Sequence, residues 1–154
     1  MKALYPGSFD PFTIGHLSIV EDALEIFDEI IIGVGCNEEK RSEWSVETRV
    51  SAISSHFDGN PRIKVVAYSG LTAEFAKKNG ISVLVRGVRN SLDFEKEKEL
   101  ADINKEVLRI PTVLLPARPS QSYISSSMVR ELIHNGYNAK EFIVGDFPEI
   151  SKRK

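Results

Sequence analysis

Five short apolar runs recur along the chain: KALY at 2–5, EIIIGVG at 29–35, IKVVAY at 63–68, SVLVRG at 82–87 and TVLLP at 112–116. They are rich in Val, Ile and Leu, and most do not alternate with polar residues. Unbroken runs of this length suit strands covered on both faces, as in a parallel sheet. The stretches between them carry a helical period. Leu17, Val20, Leu24 and Phe27 fall on one stripe at steps of three and four. Ser45 before VETRVSAI, with Glu47 in the first turn, reads as a helix start. LTAEFAKKNG stops at Asn79-Gly80. SLDFEKEKELADINKEVL predicts a longer helix with a charged first half, and SSMVRELIHNG a short one closing at Gly136. Strand and helix thus alternate five times. That order predicts a Rossmann-like, doubly wound α/β fold: five parallel strands, right-handed crossovers and helices on both faces.

No repeat and no low-complexity linker divides the 154 residues, so one domain over 1–154 is expected. Residues 138–154 read as a short final helix and a docked tail, with SKRK at 151–154 frayed. The formal charge of −2 gives no general attraction to nucleic acid or to an anionic membrane, so any anion site must be built locally. No apolar run approaches the ~20 residues of a membrane span. The single cysteine, Cys36, excludes an internal disulfide and reads as a small buried residue at a strand end. With no apolar signal core at the start, a cytoplasmic location is expected.

Doubly wound sheets bind ligands in the loops that follow strand ends. In PGSFDPFTIGH, Gly7 permits close backbone approach. Gly15-His16 opens a helix whose free N–H groups and positive end suit an anion. His16 there is either a donor to phosphate or a cap. In CNEEKRSEW, Lys40 is either a phosphate ligand or a solvated lysine, and Trp44 is expected to pack under the loop. In VLVRGVRN, Arg86 and Arg89 leave a buried strand around Gly87. They either cradle a polyanion or pair with Asp93 or Glu97, and both can hold together. In SYISSSMVR three serines open a helix, where capping needs only one. The glycine spacing of a dinucleotide fingerprint is absent. Together these loops describe a polyphosphate site at one end of the sheet.

GSFDPFTIGH carries a T-x-G-H motif, and ISSS followed by MVR resembles ISSTxxR; both are marks of the nucleotidyltransferase α/β phosphodiesterase superfamily. With Lys40, TRV at 48–50, VRGVRNSLDFE and YISSS, the chain resembles the bacterial phosphopantetheine adenylyltransferase family over nearly its whole length. The resemblance implies transfer of the adenylyl group of ATP to 4′-phosphopantetheine, giving dephospho-coenzyme A and pyrophosphate. It also implies assistance by Mg²⁺, a homohexamer, and coenzyme A as a feedback inhibitor. His16, Lys40 and Arg89 would be catalytic. ATP would be held by Ser8, Phe9, His16, Gly87, Val88, Arg89, Glu97, Ser122, Tyr123, Ile124, Ser125, Ser126, Ser127 and Met128. The other substrate would lie on Ser8, Lys40, Thr72 and Arg86. No metal-binding residue is assigned: Asp10 is a candidate, but Mg²⁺ is expected to be held by ATP and water. Two positions depart from the family: Lys96 in DFEKE where Tyr is usual, and Gln121 where Trp is common. The rival readings are a nicotinamide-mononucleotide adenylyltransferase, a cytidylyltransferase, or a non-catalytic sensor of ATP or coenzyme A.

Overall fold

The computed structural model describes residues 1–37 and 39–150; the 151–154 tail, expected to be frayed, lies outside them. The strands are β1 (Lys2–Gly7), β2 (Glu29–Gly35), β3 (Ile63–Tyr68), β4 (Val83–Val88) and β5 (Thr112–Pro116). They pair in the order β3-β2-β1-β4-β5, every pair parallel. The helices are α1 (Ile14–Leu24), α2 (Val46–His56), α3 (Thr72–Lys78), α4 (Ser91–Glu106) and α5 (Ser126–His134). The doubly wound reading therefore holds. β1 continues to Gly7 and not only to Tyr5, because Pro6 and Gly7 stay in register with Gly33 and Val34 of β2.

Alternate residues of each strand serve opposite faces of the sheet. Ala3, Tyr5, Ile30, Ile32, Val34, Val83 and Val85 pack with Ile19, Val20 and Ala23 of α1 and Ile53 of α2. Leu4, Ile31 and Leu84 pack on the other side with Ala73 and Ala76 of α3. Both faces being covered is why these strands read as continuous apolar runs. The second face is thinner, and α4 buries no residue completely.

The segment after α5 forms only a short 3-10 turn, Lys140–Phe142, and then docks. Ile143 bridges Thr13 antiparallel, and Val144 N donates to Phe12 O at 2.9 Å. Gly145 is required there. Its φ is +99°, and a Cβ at this position would lie 2.3 Å from the Ala52 carbonyl oxygen.

Candidate active site

The strand order places β1 beside β4, while the chain leaves β1 toward β2 and β3 and returns to β4 and β5. A crevice must open beyond the C-terminal ends of β1 and β4, where the flanking connections diverge. Two cavities occupy it, of about 950 Å³ and about 540 Å³. They share one rim: Pro6, Gly7, Ser8, Lys40, Arg86 and Glu97 line both. The larger runs from Ser8, Lys40, Arg86 and Arg130 to apolar walls at Leu71, Leu84, Leu100, Ile103 and Leu108. Thr72 lines it, with its hydroxyl 2.9 Å from the Tyr68 hydroxyl. The smaller is walled by His16, Arg89 and the first turns of α1 and α5.

His16 is both a cap and a cavity-wall residue. Thr13 Oγ1 accepts from His16 N (3.3 Å), and His16 Nδ1 accepts from Thr13 N (2.9 Å). Because Nδ1 accepts, the ring proton of the neutral imidazole sits on Nε2. Phe9 and Phe12 hold the ring at centroid distances of 5.0 and 5.3 Å. Burial pushes its pKa down to about 3, with Arg86 and then Arg89 acting in the same direction. The free site thus presents a neutral Nε2–H donor. Phe9 itself is buried with φ +48°, and its ring lies where a Gly7 side chain would be, 2.9 Å from an ideal Cβ.

Both arginines of VRGVR have carboxylate partners, so the pairing reading of the sequence is realised. Arg86 lies two residues beyond Leu84, hence on the α4 side of the sheet, and meets Glu97 through Nε (2.8 Å) and Nη2 (2.7 Å). It also donates to Pro6 O. Burial works against its charge, but the Glu97 bonds outweigh it, so its pKa stands above the ordinary value. Arg89 Nε meets Asp93 Oδ2 at 2.9 Å, one turn into α4, and remains more exposed.

Lys40 sits on the loop after β2, and buried polar groups hold the far end of that loop. Asp10 accepts from Glu43 N (2.8 Å) and Trp44 N (2.9 Å), one amide on each carboxylate oxygen. Arg49, 4% exposed, donates to Trp44 O (3.0 Å), Ser8 O (2.7 Å) and Gly35 O (3.1 Å). Trp44 is buried, as expected, and donates from Nε1 to Pro148 O at 3.0 Å. Asp10 is therefore committed to the backbone and is not a free metal ligand. Among the described residues no three His, Cys, Asp or Glu side chains gather to hold a metal. Asp10 and Arg49 went unread as positioning groups, because their partners lie more than thirty residues away or on bare carbonyls. Cys36 is half-buried and lines the larger cavity, not buried as expected: it lies just past the end of β2, where the sheet no longer covers it.

At α5 the three serines divide their work. Ser125 caps Met128 N (3.1 Å), Ser126 Oγ donates to Pro11 O (2.7 Å), and Ser127 Oγ accepts from Arg130 Nη2 (3.2 Å). All three line the smaller cavity, as do Ser8, Phe9, Gly87, Val88 and Ile124. Ser122, Tyr123 and Met128 are not among its walls; Tyr123 is 63% exposed and packs against Phe142. Gln121 and Lys96, departures from the family at positions that the resemblance puts near the adenine or the coenzyme A site, both line it.

A Cytidylyltransferase-like family model matches residues 4–132. The chain is 48% identical over 145 residues to a phosphopantetheine adenylyltransferase of Porphyromonas gingivalis, covering 94% of this chain and 95% of that one. It is 46% identical over 142 residues to the phosphopantetheine adenylyltransferase of Bacteroides thetaiotaomicron, covering 92% and 94%. Among solved structures, a bifunctional NMN adenylyltransferase/ADP ribose pyrophosphatase of Francisella tularensis superposes with a TM-score of 0.69 at 15% identity. That match covers 92% of this chain but 44% of the larger protein, and it speaks to fold alone.

Proposed function

The chain belongs to the phosphopantetheine adenylyltransferases within the cytidylyltransferase-like family. From that premise we infer that it transfers the adenylyl group of ATP to 4′-phosphopantetheine, releasing pyrophosphate and dephospho-coenzyme A. One observation carries the reading onto these residues: two cavities of different character meet along a single cationic rim. The larger suits an anionic head at Ser8, Lys40 and Arg86 and a long, less polar arm running past Thr72 toward Leu100 and Ile103 of α4. The smaller suits a nucleotide, with its phosphates at His16, Arg89 and the two helix N-termini. The acceptor phosphate and the α-phosphate of ATP then face each other at the rim.

The acceptor phosphate is already an anion at neutral pH, so no base is needed. One of its oxygens attacks the α-phosphorus in line. The new P–O bond forms as the bond to the bridging oxygen breaks, and that electron pair leaves with pyrophosphate. Acceleration comes from alignment and from offsetting the negative charge that gathers around phosphorus. In this reading His16 Nε2–H, Lys40 and Arg89 supply that offset. For Arg89 this requires exchanging Asp93 for a phosphate oxygen. Arg86, held on Glu97, presents its remaining edge to the acceptor phosphate. Mg²⁺ would enter with ATP, screening the triphosphate, since Asp10, Asp93 and Glu97 are each engaged by amides or arginines. No protein ligand is assigned to it.

Support for self-assembly, proposed as a homohexamer on the family resemblance, is the surface of α4. Leu92 on α4 and Val107 at its C-cap are 71% and 69% exposed. Coenzyme A, which shares both halves of the product, is proposed to inhibit by occupying both cavities. A cytoplasmic location is proposed because ATP is the substrate.

The test is pyrophosphate release with ATP, Mg²⁺ and 4′-phosphopantetheine, with each omitted in turn. Release only with all three is expected. Preference for CTP, or for nicotinamide mononucleotide as acceptor, would overturn the assignment. ATP binding with no pyrophosphate would leave a sensor. His16→Ala should lower turnover by roughly 10²–10³ while the fold survives, by analogy with loss of one oxyanion donor.

A further inference from the structure

Arg89 spends two donors on Asp93: Nε and Nη2 lie 2.9 and 3.3 Å from its carboxylate oxygens. Turning the guanidinium to a nucleotide phosphate breaks both contacts. The carboxylate stays where it is, because backbone groups hold it. Arg89 N donates to Asp93 Oδ2 (3.2 Å), and Asp93 N donates to Oδ1 of the cap Asn90 (2.9 Å). Asp93 is then an unpaired anion in the wall of a cavity that holds a triphosphate. Like charges so close repel, so the exchange is unfavourable unless another cation reaches Asp93.

On a helix the neighbours of Asp93 are the residues three and four positions away. Asn90 is the cap, and Glu97 is taken by Arg86. Arg89 is the cation that leaves. Lys96 remains, one turn further into α4 and lining the same cavity. It is exposed and makes no ion pair among the described residues, whereas Lys98 on the same helix is paired with Asp102 at 2.8 Å. An acid three residues before a base is a favourable order on a helix, and a lysine stem spans the gap without moving the backbone.

We propose that Lys96 takes over Asp93 when Arg89 turns to the nucleotide, as a positioning residue for adenylyl transfer. This rests on the adenylyltransferase reading and says what makes the turn of Arg89 favourable. Lys96 acts through Asp93 and not on the phosphates. Charge is conserved in the wall: one cation is released to the ligand, and another replaces it on the carboxylate.

The experiment is a double-mutant cycle on kcat/KM for ATP, at saturating 4′-phosphopantetheine, with wild type, Lys96→Met, Asp93→Asn and the two combined. Lys96→Met should lose about 3- to 5-fold, the upper end for one ion pair open to water. In the Asp93→Asn background the same change should cost about 1.5-fold or less, since no carboxylate is left to pair. Lys96→Arg, which keeps the charge, should restore the wild-type value, and KM for 4′-phosphopantetheine should not move. Without nucleotide the urea midpoint of Lys96→Met should equal that of the wild type, because Lys96 supports nothing in the free protein. A loss of equal size in both backgrounds would mean a direct contact with the nucleotide, and no loss in either would mean an idle surface lysine. Each overturns the proposal while pyrophosphate release from ATP stands. A wild type that releases no pyrophosphate from ATP fails the underlying reading, and the proposal with it.

Discussion

Replacing Asp10 with Ala tests whether the Lys40 loop is held by a remote carboxylate. The Asp10 side chain is 7% exposed, and each of its oxygens accepts one backbone amide, from Glu43 at 2.8 Å and Trp44 at 2.9 Å. Hydrogen bonds to a charged group are worth about 1.5–3 kcal/mol each, and the amides left behind, a buried one at Trp44 and a part-buried one at Glu43, lose their partner. Two such losses sum to about 3–6 kcal/mol. Water entering the space left by the carboxylate offsets part of this, so about 3–4 kcal/mol is expected. That is a large share of the ~5–15 kcal/mol that holds a typical domain together. With a urea slope of about 2 kcal/mol/M, the unfolding midpoint should fall by about 1.5–2 M. Asp10→Asn keeps one acceptor and turns an N–H toward the other amide, so it should lose at least half as much. Kinetically, the free end of the Lys40 loop should show as a rise of tenfold or more in KM for 4′-phosphopantetheine at a urea-free, fully folded working temperature. The assay pairs urea titration by far-ultraviolet circular dichroism with steady-state pyrophosphate release. A midpoint within about 0.3 M of wild type, with KM unchanged, would show that these two contacts neither stabilise the fold nor place Lys40.

Other outcomes follow from the same geometry. His16 should stay neutral in the free protein, so its Cε1 proton resonance should not titrate between pH 8 and 5; a midpoint near 6.5 would refute a ring held neutral by desolvation with Nδ1 accepting from Thr13 N. Since its folded pKa lies below the unfolded value of about 6.5, the unfolded chain binds the extra proton as pH falls through the window between about 6.5 and 3. Stability is therefore lost on acidification, at up to about 1.4 kcal/mol per pH unit from this residue, and His16→Gln should lose less than wild type between pH 7 and 5. Gly145→Ala must place a methyl against the Ala52 carbonyl at a φ of +99°, and a loss of about 2 kcal/mol, or about 4–8 °C in Tm, is expected by calorimetry. Leu92→Glu with Val107→Glu should shift sedimentation toward smaller species if α4 joins copies of the chain; an unchanged profile removes α4 from that role.

The strands and helices were legible because their causes are local. Unbroken Val/Ile/Leu runs, caps such as Ser45, and stops such as Gly80 act within a few residues of themselves. The loops that line the two cavities were legible for the same reason: each follows a strand end, and T-x-G-H and the serine run mark helix starts. Whether His16 serves as cap or as donor was not open to sequence, since only coordinates show Nδ1 spent on Thr13 and leave Nε2 for the cavity. Nor was the full wall of the smaller cavity: Ser125, Ser126 and Ser127 belong to it and Met128 does not, because only the packing of α5 on the sheet decides which side of its first turn faces the cavity.

The chain alone determined that it would wind into a parallel sheet, since propensity, capping and burial pattern are properties of neighbouring residues. Tertiary structure alone decided which charges neutralise each other and which remain for a ligand. Arg86 with Glu97, Arg89 with Asp93, and Asp10 with the amides of residues 43 and 44 are matched by the adjacency of β1 to β4 and by the way α4 and the second loop fold over that junction. Electrostatic and hydrogen-bond energies depend on distance in space, and the linear order of residues carries no record of that distance.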